Sequence, residues 1–143
     1  LATGLKHGES VVTASYDDAG KILTDSATVV VDSVTVQSVK SRTGTVATTS
    51  TYSLAGDFTL KQVGNDLELT FAANYSASSN LPGLFVYLAN NNTTTSGAYE
   101  IGAVSVFAGA HSYTIPNKGI NDYNYVLYFC KPFNVKVGDG TIN

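Results

Sequence analysis

Polar and apolar residues trade places along almost the whole chain with the two-residue period of strands. Apolar positions alternate with polar ones, or run together, over 11–16, 27–31, 34–39, 58–60, 67–71, 84–88, 104–107, 113–115, 125–130 and 133–137. A period of two places successive side chains on opposite faces of a sheet, whereas an amphipathic helix would repeat every three to four residues. The runs recur at intervals of roughly ten residues with turn-forming residues between them, the spacing of an all-β sandwich or barrel. Gly64-Asn65 separates two such runs, and both are residue types that readily take the positive φ that would close a hairpin; Asp18-Ala19-Gly20 plays the same part nearer the start. The polar tract Asn90-Asn91-Asn92-Thr93-Thr94-Thr95-Ser96-Gly97 holds no apolar residue to bury and reads as a solvated, mobile loop.

The strand pattern weakens over 37–44, where Lys40-Ser41-Arg42-Thr43-Gly44 follows an apolar stretch. This predicts a boundary, with a short β segment over 1–39 and a larger antiparallel β-sandwich domain over 40–143. About three strands cannot cover a core by themselves. The first segment is therefore expected to pack on other elements or on another chain, and its open edges suggest self-association.

Composition narrows the setting. Charged residues make up 13 % of the chain, about half the usual share. A neutral surface rich in Ser, Thr, Asn and Gly points to an extracellular or cell-envelope location. The net charge is −3 and the eight Lys and Arg are scattered, which argues against a nucleic-acid partner. No apolar run approaches the ~20 residues that span a bilayer, so no membrane-spanning segment is expected here. Leu1 in place of methionine predicts a chain that begins inside a longer precursor, with any surface anchor in a removed N-terminal region.

Chemistry centres on the single cysteine, which excludes an internal disulfide. Cys130 ends the strand-forming run Tyr125-Val126-Leu127-Tyr128-Phe129 just before Lys131-Pro132-Phe133. Proline cannot donate a ladder hydrogen bond, so Cys130 is expected near a sheet rim. A rim thiol can act as a redox group, and a buried one packs as a small hydrophobe. His111 is a weak candidate ligand or a plain strand residue. Two histidines and one cysteine fall short of a type-1 copper set or a zinc site. Asp17-Asp18 and Asp122 suit either calcium or turn geometry. Among the nine tyrosines, Tyr99, Tyr123 and Tyr125 flank loops or strand starts and are candidates for exposed contacts, while Tyr87 and Tyr128 are expected in the core.

Two family resemblances rest on short motifs. Gly8-Glu9-Ser10-Val11-Val12-Thr13-Ala14, followed by Ala27-Thr28-Val29-Val30-Val31, resembles the second half of a bacterial immunoglobulin-like domain of group two. That resemblance covers about 1–36 and implies a spacer on a surface or secreted protein. Leu81-Pro82-Gly83-Leu84-Phe85-Val86-Tyr87-Leu88, Gly109-Ala110-His111-Ser112-Tyr113-Thr114-Ile115-Pro116 and Tyr125–Val135 resemble the three blocks of the DM-thirteen domain over about 42–143. Cys130 and Phe133 match its "W-C-x-x-F" strand, with Phe129 in place of Trp, and Gly83 stands where the family carries Asp. The resemblance implies an envelope electron-transfer module in which Cys130 is the redox thiol, acting alone or through a bound group such as haem, with His111 as a second contact and an unidentified redox or cell-surface partner. The alternative is a non-enzymatic adhesion or ligand-binding module with a structural Cys130.

Overall fold

The computed structural model describes residues 8–31 and 40–143. The chain divides into two compact units, Leu1–Ser38 and Val39–Asn143.

In the first unit, strands β1 (Gly8–Asp18) and β2 (Lys21–Val31) form an antiparallel hairpin paired from Gly8↔Val31 to Asp18↔Lys21. Ala19 and Gly20 both take positive φ, 51° and 91°, as a two-residue hairpin turn requires. The Asp17 carboxylate accepts the Gly20 N–H at 3.0 Å. Val12, Tyr16 and Val29 are exposed on one face and Val11, Ile22 and Val30 on the other. The apolar runs expected at 11–16 and 27–31 fall in these strands, and the one expected at 34–39 lies outside the described residues.

The second unit holds β3 (Ser41–Thr48), β4 (Leu54–Val63), β5 (Asp66–Phe71), β6 (Ser76–Ala77), β7 (Leu84–Ala89), β8 (Tyr99–Ala103), β9 (His111–Ile115), β10 (Tyr125–Cys130) and β11 (Val135–Thr141). All pairings are antiparallel, in the order β8-β7-β10-β11-β3-β4-β5-β9 with β6 beside β4. The sheet coils into a nearly closed sandwich, and the all-β expectation holds. β4 shows why: Leu54, Gly56, Phe58 and Leu60 turn inward while Ala55, Asp57 and Thr59 face out. β10 is buried on both sides. Val126, Tyr128 and Cys130 enter the main core, and Leu127 and Phe129 join Tyr87 and Ala89 in a second apolar cluster. No helix of the described residues is long and apolar enough to cross a membrane.

The stretch at 40–44, where the strand pattern weakens, belongs to the second unit: β3 starts at Ser41 and pairs with β4 from Ser41↔Lys61 onward. It carries no apolar signal because Gly44 turns inward and leaves its space to the Phe58 ring, while the Arg42 guanidinium donates to the carbonyls of Ile120, Tyr123 and Ile142. Two local expectations need correction. Residues 104–107 are irregular, the strand lying at Tyr99–Ala103; its pairing with β7 runs from Leu88↔Tyr99 to Phe85↔Ala103 with a bulge between Val86 and Tyr87. The strand expected from 133 begins at Val135, since Lys131–Phe133 form a 3₁₀ turn ended by Asn134 at φ 49°. The polar tract at 90–97 is irregular as expected, and hydrogen-bonded: the Asn91 side-chain Oδ1 accepts from Thr93, and the Asn90 side chain donates to the Asp122 backbone carbonyl.

Candidate functional site

Cys130 sits at the end of β10, opposite Leu84 of β7 and Val135 of β11. Its position along the strand is the expected one, but its environment is not that of an open rim. The thiol is free and the residue 0 % exposed, on the same face as Val126 and Tyr128. The 3₁₀ turn closes the strand end over it: the Lys131 N–H donates to the Gly83 carbonyl at 3.0 Å, and Pro132 packs so near Gly83 that a Cβ there would lie 2.8 Å from the ring. Glycine at position 83 is thus a packing requirement of this chain. Lys131 pairs with Glu100 at 2.8 Å and lies over the Phe85 ring, leaving the thiol without its charge. Phe133, the aromatic of the C-x-x-F motif, is 64 % exposed.

His111 opens β9, the edge strand opposite the β8 edge, and pairs with Phe71. Its ring stacks on Phe71 at 5.0 Å and meets Tyr75 at 4.6 Å and Tyr113 at 5.3 Å edge-on. Nδ1 lies 3.0 Å from the Gly109 carbonyl. A carbonyl only accepts, so Nδ1 carries the proton of the neutral ring and Nε2 the lone pair. The fold does not pair His111 with Cys130; the aromatic contacts between their strands run through Tyr75 and Tyr128. Neither residue fits haem. Cys130 is enclosed by packed side chains, and Nε2 of His111 is buried among aromatic rings.

The other candidates scatter. Tyr99 and Tyr123 are half-buried against the core, Tyr99 beneath the Lys118 ammonium at 4.8 Å, and Tyr125 is half-buried at the start of β10. Tyr87 and Tyr128 are buried as expected. The Tyr87 hydroxyl donates to Glu100 at 3.1 Å, and burial first, then that carboxylate, pushes its pKa up to about 12. Asp17 and Asp122 hold turns, Asp122 accepting the Gly119 N–H at 2.7 Å. Among the described residues no group of three or more His, Cys, Asp or Glu side chains is placed to hold a metal ion.

Two features were not legible beforehand. The first is a buried phenol–imidazole cluster. The hydroxyls of Tyr75, Tyr113 and Tyr128 and Nε2 of His111 are buried with no hydrogen bond of good geometry among the described residues. Tyr75 and Tyr128, 2 % and 0 % exposed, have rings 6.3 Å apart and both touch Phe71. Their hydroxyls act on each other, Tyr128 lowering the Tyr75 pKa against the larger effect of burial and Tyr75 adding to the rise at Tyr128. Desolvation raises all three phenols, Tyr75 to about 12 and Tyr128 well above its ordinary value.

The second is a groove of about 600 Å³ lined by Thr43, Thr45, Asp57, Thr59, Thr70, Thr141 and Asn143, with Phe58 and Phe71 beneath. Pairing fixes its order. Thr43 stands opposite Thr59, Thr59 opposite Thr70 and Thr70 opposite Ser112, so four exposed hydroxyls cross β3, β4, β5 and β9 in one row. Neighbouring strands place them about 4.8 Å apart. Beside the row, Asp57 accepts from Thr45 at 2.6 Å and from Asn74 at 2.8 Å, and these bonds hold its carboxyl below the usual carboxylate range. No cation lines the groove. Tertiary pairing assembles the row from single threonines in separate strands, so no local motif announced it.

No family model, no curated protein and no solved structure matches this chain.

Proposed function

We propose that this protein is a non-enzymatic binding module that holds an uncharged, polyhydroxylated chain, a glycan, along the groove across β3, β4 and β5. The observation that carries this reading is the hydroxyl row Thr43–Thr59–Thr70–Ser112 beside Asp57. Hydroxyls both donate and accept, and a carboxylate accepts from sugar hydroxyls, so the lining suits a neutral ligand with many O–H groups. An anion would find no positive charge there. The low charge and hydroxyl-rich composition fit a surface or secreted setting. A buried Cys130 then serves as packing.

The test is affinity electrophoresis through gels containing soluble neutral polysaccharides: glucans, mannans, xylans and galactans. Retardation by at least one of them is expected, and lost in Thr59→Val/Thr70→Val. Valine keeps the shape and strand preference while removing the hydroxyls. Equal migration of the two proteins in every gel would sink the assignment.

The DM-thirteen resemblance offers a second reading, electron transfer through Cys130. What favours it is the aromatic path from the Cys130 face of β10 through Tyr128 and Tyr75 to His111. The enclosed thiol weighs against it, because exchange with a partner requires an accessible thiolate.

A further inference from the structure

We infer that the groove takes an extended, equatorially linked glycan of the cellulose or xylan kind, laid across the strands with one sugar to each strand. This rests on the glycan reading above and adds to it the direction, shape and length of the bound chain.

Charge sets the direction. Residues directly opposite each other in a ladder share a face of the sheet, so the registers arrange the side chains of this face in lanes that cross the strands. The lane Thr43–Thr59–Thr70–Ser112 is uncharged from β3 to β9, and all four residues are exposed. The lane on one side of it runs Ser41–Lys61–Glu68–Thr114 and carries an ammonium and a carboxylate. On the other side Thr45 stands opposite Asp57. A chain lying along β4 would therefore pass Asp57, Thr59 and Lys61 in turn, and one lying along β5 would pass Glu68 before Thr70. A path across the strands meets a hydroxyl at every step.

Spacing sets the shape. Neighbouring strands lie about 4.8 Å apart, close to the advance of one pyranose ring along an extended chain. Hydroxyls on four neighbouring strands then meet four successive sugars, whereas a helical glucan curls away from such a lane after a short contact. The lining decides which surface of the sugar is held. Phe58 and Phe71 lie beneath the groove at 2 % and 0 % exposure, so neither ring offers a face for stacking. Recognition falls to hydrogen bonds along the edge of the chain, where equatorial hydroxyls point. Each is a neutral hydrogen bond exchanged against water, so affinity should grow by roughly two- to tenfold per sugar.

The isotope-labelled full chain would be titrated, with its chemical shifts as the readout, against cello-, xylo- and malto-oligosaccharides from the disaccharide to the hexasaccharide. Affinity for the cello- or xylo-series should rise with each sugar up to the tetrasaccharide and then level, while the malto-series should gain nothing from added length. Ser112→Ala at the end of the lane should bring the plateau forward to the trisaccharide, and Thr59→Val inside it should weaken every length. Binding confined to the malto-series, or of equal strength and length dependence in all three, would overturn the extended chain while the groove reading stands on its Thr59→Val/Thr70→Val control. No response to any series would overturn the extended chain as well, and the polysaccharide gels then decide the groove reading separately.

Discussion

At the residue scale, burial decides what Cys130 can do. A wholly enclosed thiol packed beside Val126 and Tyr128 behaves as a small hydrophobe. It should resist a thiol reagent in the folded protein and react at once in denaturant, as an absorbance assay would record. Cys130→Ser puts a hydroxyl in the same place and should cost about 1–3 kcal/mol in urea unfolding, whereas Cys130→Ala removes little volume and should cost less. Rapid reaction of the folded thiol would return the electron-transfer reading to first place. The tyrosines give a pH signature. Tyr75 and Tyr87 are raised to about 12 in the fold, above the ordinary value of 10. The folded state thus holds phenolic protons that the unfolded chain has already released above pH 10. Stability should be unaffected by these groups below pH 10 and fall as pH rises from about 10 to 12, with unfolding and tyrosinate absorbance appearing together. Tyrosinate absorbance that develops fully near pH 10 with the fold intact would contradict the burial argument.

At the element scale, the places where sequence and structure agree differ physically from those where they do not. β10 was legible because Val126, Leu127, Tyr128 and Phe129 are apolar on both faces, and both faces are covered. β4 and β5 were legible in their apolar cores and in the Gly64-Asn65 turn between them. β3 was not, because its inward positions are Arg42 and Gly44 before Val46, filled by hydrogen bonds and by a ring from β4 rather than by apolar side chains of its own. The groove and the tyrosine cluster were invisible for the same reason: each is assembled from residues far apart in the chain, whose neighbours carry no motif. Glycine marks the tightest junction. A Cβ at Gly138 or Gly140 of β11 would collide with the carbonyls of Ala47 or Thr45 in β3, where the sheet coils. Gly138→Ala should therefore destabilise by at least about 1–3 kcal/mol, the usual cost of overpacking. Gly64→Ala meets open space at φ 61° and should cost only the left-handed strain of about 1–2 kcal/mol. Urea denaturation of both variants compares the two, and a Gly138→Ala protein as stable as wild type would show that β3 and β11 are not held so closely.

At the scale of the whole molecule, the two units differ in what holds them. The unit Val39–Asn143 surrounds a continuous core from Val46 to Ile142 in which Leu60, Leu67, Leu69, Phe71, Val126 and Tyr128 are wholly buried. Strands distant in sequence close it: β11 pairs with β3, and the backbone of Asn143 exchanges both hydrogen bonds with Thr43. In the hairpin β1–β2 an eleven-pair ladder and its turn are described, and Val11, Val12, Tyr16, Ile22, Val29 and Val30 are exposed. Two strands without a covered face are marginal in water, whereas a closed sandwich unfolds cooperatively. A chain of residues 39–143 should therefore show the same main thermal transition as the full chain, within a few degrees, and the same behaviour toward polysaccharide. A peptide of residues 1–38 should show no cooperative transition by circular dichroism. If instead the shortened chain melts far below the full one, the hairpin contributes to the sandwich, and its exposed valines would then be the first residues to substitute in seeking the surface it covers.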